Sequence, residues 1–277
     1  MTHVRNTRKF ISLAVVVLFL ITTSGCAMLK PDQYEQYGYH GTAQVKVGHR
    51  VVPIDWIGNL FGIFEKLIIW NWKMERHNIQ PETKKAINDY IADNQEVLGD
   101  VYVQVNRYAP QDAWRRLVHN KGVKWPYRLF IGTFIVLIID TILVGRIFGG
   151  DRYNPFTHTL DIYSDIPAVA LHELGHARDF SERRYRGSYA ILRLIPFADL
   201  YQEYKATNHA FEYVREKKMV NQEIENYKVL YPAYGTYVGS YLFIMGGSII
   251  GAIVGHILGR TEAHHLEERV AKTTPSP

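Results

Sequence analysis

Between residues 54 and 76 the chain reads IDWIGNLFGIFEKLIIWNWKMER, with Trp56, Phe61, Phe64, Ile68 and Trp72 recurring at helical spacing on one broad face. The pattern predicts a helix packed in the core, or alternatively one lying on a membrane surface. QPETKKAINDYIADN puts Pro81 near a helix start with acids early, predicting a helix over 81–94. DVYVQVN alternates and is β-rich, predicting a strand over 101–106, and APQDAWRRLVHN reads as a short helix after Pro110. A long apolar stretch follows at 129–148, ended by Gly149-Gly150. YNPFTHTLDIYS then gives a turn and a strand over 157–163. DIPAVALHELGHARDFSERR predicts a helix over 165–184, with Asp165 as N-cap and Pro167 in its first turn. Another helix is expected over 197–218, then a second apolar stretch at 237–258 and a charged tail from Arg260. The sum is an α+β fold, mostly helical with a small sheet, and no repeat of solenoid length.

The N-terminus has a different layout. Arg5, Arg8 and Lys9 precede an uncharged apolar run over 10–21, and TTSGC follows. This is the pattern of a secretory signal, too short to span a membrane comfortably. Gly25-Cys26 resembles the lipobox of bacterial lipoproteins, with Thr23 where that motif usually has leucine. The resemblance implies a lipidated Cys26. It is the single cysteine of the chain, so internal disulfides, cysteine-based zinc sites and a deeper cysteine nucleophile are all excluded. Three positive and no negative charges lie in residues 1–25, so the formal net charge of +5 says little about the processed chain. No Lys/Arg stripe argues for nucleic acid as a partner.

The segment ALHELGHARDF carries the candidate chemistry. Residues four apart share a helix face, so His172 and His176 can offer ring nitrogens to one ion. Glu173, about 100° round the helix from His172, stands beside such an ion, where a general base takes a proton from bound water. The helix is uncharged over 166–171, which argues for burial, and Gly175 in mid-helix argues for a close neighbour. Buried histidines and a buried glutamate need partners or a metal; the bland alternative is a pair of histidines hydrogen-bonded in a core. A hydrolytic zinc site requires a third protein ligand and an open fourth position. The metzincin continuation would need glycine at 179 and histidine at 182, where this chain has Asp179 and Glu182. QEYKATNHAFEY on the later helix offers Glu203 and Glu212, with His209 a weaker competitor; Glu212 faces another way and reads as a surface residue.

On HExxH at 172–176 and Glu203 with Ala206, residues 154–213 resemble the gluzincin metallopeptidases, and within them the HtpX-like and CAAX-prenyl-protease-like membrane enzymes. The resemblance implies a zincin-like domain, one Zn2+, Glu173 as the catalytic base, and Glu203 as third ligand beside His172 and His176. The family tends to have an aspartate, orienting a zinc histidine, where this chain has Thr207. Asn208 and Asp179 are the other candidates for that supporting role. The resemblance also implies an edge strand that pairs with extended substrate; THTLDIY is either that strand or an internal one.

These features divide the chain into a lipoprotein-type signal peptide (1–25), a tether (26–50), a metallopeptidase-like domain (51–236), an apolar helix (237–259) and a charged tail (260–277). Gly247, Gly251, Gly255 and Gly259 recur every fourth residue, a stripe that lets another helix approach, in or out of a membrane. The basic flank before residue 129 predicts a cytoplasmic side there, in conflict with an external lipid anchor. Residues 129–148 are therefore expected as core strands or a membrane-dipping segment. The functional expectation is a zinc endopeptidase of the bacterial cell envelope. It would be anchored through Cys26, with residues 237–259 as a second membrane contact, facing the periplasm or exterior and acting on proteins or peptides near the membrane. Ala27 is compatible with the outer membrane; a true C-terminal span would argue for the inner one. The alternative is a non-catalytic envelope scaffold or assembly factor that keeps the fold.

Overall fold

The computed structural model describes residues 35–40, 42–143, 145–148, 150–242 and 246–273. The expected signal peptide and Cys26 lie outside them. Helices dominate, and a mixed sheet of order β1-β2-β3-β5-β4 sits among them, so the α+β class holds.

The strands are β1 (Glu35–His40), β2 (Ala43–Val47), β3 (Tyr102–Val105), β4 (Arg152–Asn154) and β5 (Thr159–Ile162). β2 and β5 both run parallel to β3, and β4 runs antiparallel to β5. Period-two alternation sorts their side chains into two rows. Val45, Val103 and Leu160 are register partners, as are Val47, Val105 and Ile162, and all belong to the buried core. The opposite face aligns Lys46, Gln104, Asp161 and Arg152. There Gln104 Nε2 donates to Asp161 Oδ1 (3.1 Å) and Arg152 Nη2 to Asp161 Oδ2 (2.9 Å). One expectation changes and one open choice is decided. Residues 43–47 are a sheet strand rather than tether, because Val45 and Val47 complete the apolar row. THTLDIY supplies an internal strand, since β5 lies between β3 and β4; the edge is the three-residue β4.

The helices are α1 (Val52–Phe61), α2 (Ile63–Ile69), α3 (Pro81–Asp93), α4 (Pro110–His119), α5 (Trp125–Ile142), α6 (Pro167–Ser181), α7 (Arg186–Leu192), α8 (Ala198–Glu216), α9 (Val220–Leu242) and α10 (Gly247–Thr273). The single core helix expected over 54–76 is instead the pair α1 and α2, ended by Trp70 in the left-handed region (φ 55°). Its aromatic stripe faces outward: Trp56 is 65% and Phe64 73% exposed. The inward side of α1 is polar, with Asp55 accepting from Arg146 Nε at 2.6 Å.

The stretch at 129–148 is helical rather than strand. α5, with π-helical turns over Arg128–Gly132 and Val136–Ile142, is the one helix among the described residues long and apolar enough to cross a membrane. Leu129, Phe130 and Phe134 are exposed along it. Asp140, the charge within that run, turns inward to pair with Arg152 and to accept from Asn154 Nδ2 at 3.0 Å. It thereby joins the polar face of the sheet.

The apolar helix expected over 237–259 is two helices. α9 ends at Leu242 and α10 starts at Gly247, after Gly246 at φ 70°, so the segment folds back on itself. The charged tail continues α10 as far as Thr273. The glycine stripe is the seam of this hairpin: a Cβ on Gly251 would run into the Gly235 carbonyl, and one on Gly259 into that of Tyr227. Ile249, Ile253 and Ile257 point away from the seam and are exposed. Gly251→Ala should therefore push α9 and α10 apart. Overpacking of this kind costs about 1–3 kcal/mol, read as a lowered thermal midpoint; an unchanged midpoint would mean that the helices do not touch there.

Candidate metal centre

α6 follows β5 after a four-residue connection. Its N-cap is Ile166, without a side-chain cap, and Pro167 opens the first turn. Asp165, expected as the cap, serves a different helix: its Oδ1 accepts from Gln80 N (2.9 Å) and Thr83 Oγ1 (3.0 Å) at the start of α3. α6 is buried on nearly every side, as its uncharged first half requires. It lies against α8 at Gly175, where a Cβ would strike the Ala206 carbonyl. The mid-helix glycine thus has its close neighbour, and that contact brings residues 172–176 alongside Glu203.

The two histidines meet the distant carboxylate. His172 Nε2 donates to Glu203 Oε2 at 3.1 Å, and His176 Nε2 lies 3.4 Å from Glu203 Oε1. A tetrahedral zinc with nitrogen and oxygen ligands at about 2.0–2.2 Å keeps neighbouring ligand atoms about 3.3 Å apart. Both spacings are close to that separation, one to each oxygen of the Glu203 carboxylate. Glu173 offers a second grouping, since donor atoms of His172, Glu173 and His176 all lie within 4.8 Å of one another. Glu203 is the stronger candidate for a third ligand because its carboxylate reaches both imidazoles; it and Glu173 both line the adjoining cavity.

Of the three residues considered for supporting the histidines, one is in place. Thr207 Oγ1 lies 3.3 Å from His172 Nδ1. Asn208 donates to Glu212 Oε1 (2.5 Å), and Asp179 accepts from Arg183 and Tyr189, so both are engaged away from His172 and His176. Asn208 and Asp179 are set aside for that reason. His209 is also turned elsewhere, 3.2 Å from Glu212.

Electrostatics separate the roles. Burial is the largest influence on His176 and pushes its pKa down to about 4 against the pull of Glu203, leaving the neutral form that ligates metals. Burial also disfavours charge on His172, but the hydrogen bond and charge of Glu203, joined by Glu173, outweigh it and raise the pKa. For Glu203 burial favours protonation, yet His176, His172 and Arg193 together hold it well below the usual carboxylate range. Glu173 goes the other way, raised to about 7 by burial first, with Glu203 and Asp151 adding and His172 opposing. A dication at the histidines would draw Glu173 down again.

The site opens into a cavity of about 410 Å³ whose walls include His172, Glu173, Glu203, Thr207 and Tyr237. A second, apolar cavity of about 500 Å³ between α8, α9 and α10 shares Thr207 and Tyr234 with it. Several wall residues carried no sequence signal. Arg193, just after α7, makes an ion pair with Glu203 Oε1, and Tyr237 comes from α9. Glu65 and Asp151 enter the same wall from α2 and the approach to β4. Nothing in their spacing along the chain connects them to HExxH; only the packing does. No family model, curated protein or solved structure matches the chain.

Two substitutions test the construction of the site. Gly175→Ala separates α6 from α8, and zinc stoichiometry should fall even though no ligand has changed. Arg193→Ala removes the partner that fixes the Glu203 carboxylate, and zinc affinity, measured by competition with a chelator, should drop roughly 10–100-fold.

Proposed function

We propose that the protein is a membrane-attached, zinc-dependent endopeptidase, of the gluzincin type that its HExxH helix resembles. The observation that carries this reading is the convergence of His172 and His176 on the buried Glu203 carboxylate, with Glu173 beside them facing an open cavity. Zinc held by those three side chains would polarise a peptide carbonyl and lower the pKa of a bound water. Glu173 would take the proton of that water. Its carboxyl, on the cavity wall beside the histidines, would then pass the proton on to the departing amine. Thr207 holds the orientation of His172, and Arg193 that of Glu203.

Membrane attachment draws on the exposed apolar surface. α2 carries Phe64, Leu67 and Trp70 outward, while Ile68 and Ile69 of the same helix line the metal cavity. Trp70 stacks on His256 of α10 (centroids 3.9 Å apart), beside the exposed Ile253 and Ile257. Phe61 packs edge-on against Phe148. Patches of this extent mark partner or membrane surfaces. With a lipidated Cys26, this reading places the cleft at a bilayer of the bacterial envelope, facing the periplasm or exterior, where proteins and peptides near the membrane are the substrates.

The test is metal analysis beside hydrolysis of a casein-type substrate. Glu173→Gln should keep zinc and lose hydrolysis by at least two orders of magnitude, the scale of one general base; Glu203→Ala should lose zinc. Wild-type protein that binds zinc and cleaves nothing would turn the assignment toward a scaffold, and full zinc occupancy in Glu203→Ala would move the third ligand elsewhere.

A further inference from the structure

The wall of the metal cavity that carries Glu65, Gly150 and Asp151 has an unbalanced charge. Glu75 backs it. This side chain is 5% exposed, its Oε1 has no hydrogen-bond partner, and Oε1 points toward Gly150, where a Cβ would lie 3.5 Å away. Glu65 Oε1 stands 3.8 Å from the same point. Asp151 uses Oδ1 to accept from Tyr163 N (2.6 Å) and Ser164 N (3.0 Å), while Oδ2 is buried without a partner. Three carboxyl groups therefore converge on one side of the cavity.

The cations nearby are committed. Lys66 Nζ donates to the carbonyls of Asn59 (3.2 Å) and Glu75 (3.3 Å). Arg152 is held by Asp140 and Asp161, and Arg193 by Glu203. His77 Nε2 comes to 3.4 Å from Glu75 Oε2, but burial, the leading cause, lowers its pKa and favours the neutral ring. The acids consequently disfavour each other's ionisation. Burial first, then the charge of Asp151, raises Glu75 against the charges of Lys66 and Arg152 and a backbone hydrogen bond from Asp151; Glu65 is raised too, with the charges of Glu75 and Asp151 adding and Lys66 opposing. A buried carboxyl oxygen without a partner is costly, as at Glu75 Oε1 and Asp151 Oδ2, and a cation entering from the cavity beside the exposed Glu65 would relieve both.

A bare metal ion suits this wall poorly. Among the described residues, only His172, Glu173 and His176 bring three donors within 4.8 Å of one another. The acids are not gathered that closely, which suits a larger cationic group better than a bare ion. We propose that Glu65 and Asp151, backed by Glu75, form a subsite of the metal cavity that receives a cationic group of the substrate, whether the side chain of a basic residue or a free peptide amino terminus. The inference rests on the peptidase reading and adds a substrate preference to it.

The test uses the full zinc-loaded chain and quenched fluorescent peptides of one apolar sequence. One series is N-acetylated, with a single lysine moved through the positions flanking the cleaved bond and norleucine as reference. The other series has no lysine and a free or acetylated amino terminus. One cationic position, or the free terminus, should raise kcat/KM at least tenfold. That ratio should fall toward one in the Glu65→Gln/Asp151→Asn double variant, and Glu65→Lys should favour glutamate at the same position. Retained zinc and an unchanged thermal midpoint would establish that the variants fold. Cleavage of all wild-type peptides with equal efficiency would overturn the subsite and leave the peptidase intact. If no peptide is cut, the peptidase reading fails, and the subsite is decided by calorimetric binding of the same peptides. Tighter binding of the cationic member, lost in the double variant, sustains it; equal binding overturns it.

Discussion

The candidate centre depends on one helix-to-helix approach. α6 and α8 come together at Gly175 and Ala206, so closely that the glycine hydrogen occupies the space a methyl group would need. His176 follows that glycine directly, and Glu203 precedes the alanine by less than one turn. The contact therefore sets the distance between imidazoles and carboxylate. It also places a charged carboxylate where it is only 1% exposed, so that ionisation there requires the histidines, Arg193 or a bound cation.

The rest of the fold supplies walls. β5 delivers the chain to the start of α6, and Asp165 ties the start of α3 to that junction. α9 lays Tyr234 and Tyr237 along the cavity, and α10 holds α9 through a seam in which glycine meets glycine. α2 faces the cavity with one side and presents aromatic residues to the surroundings with the other. Exposed Phe64 and Leu67 and the cavity-lining Glu65, Ile68 and Ile69 are thus carried on one helix two turns long.

Legibility varied with the range of the interaction. α3, α6 and α8 fall within a few residues of their expected bounds, since each has a proline or an apolar period that acts locally. Thr207 is at His172 although the resembling family tends to have an aspartate there, because its helix position, not its side-chain type, fixes where it points. The errors share a cause. Apolar periodicity reports that a face avoids contact with charged groups, not whether it turns toward a core or away from it. Of the two alternatives for residues 54–76, a core helix does not hold, since the aromatic stripe is exposed, and the 237–259 stretch needed the φ of Gly246 to become a hairpin. Residues 43–47 were too short a pattern to separate from a tether until β3 supplied a partner.

By itself the sequence determined the local chemistry: two histidines on one helical turn with a glutamate between them, a glycine demanding a close neighbour, and a carboxylate one helix later. These follow from the fixed geometry of a helix, which turns residue spacing into direction. Tertiary structure alone decided which carboxylate reaches the histidines, that Arg193 and Tyr237 attend it, and that Glu65, Glu75 and Asp151 gather on the same chamber. Those groups come from segments far apart in the chain. Their meeting depends on how the helices and the sheet pack, and spacing along the sequence carries no record of it.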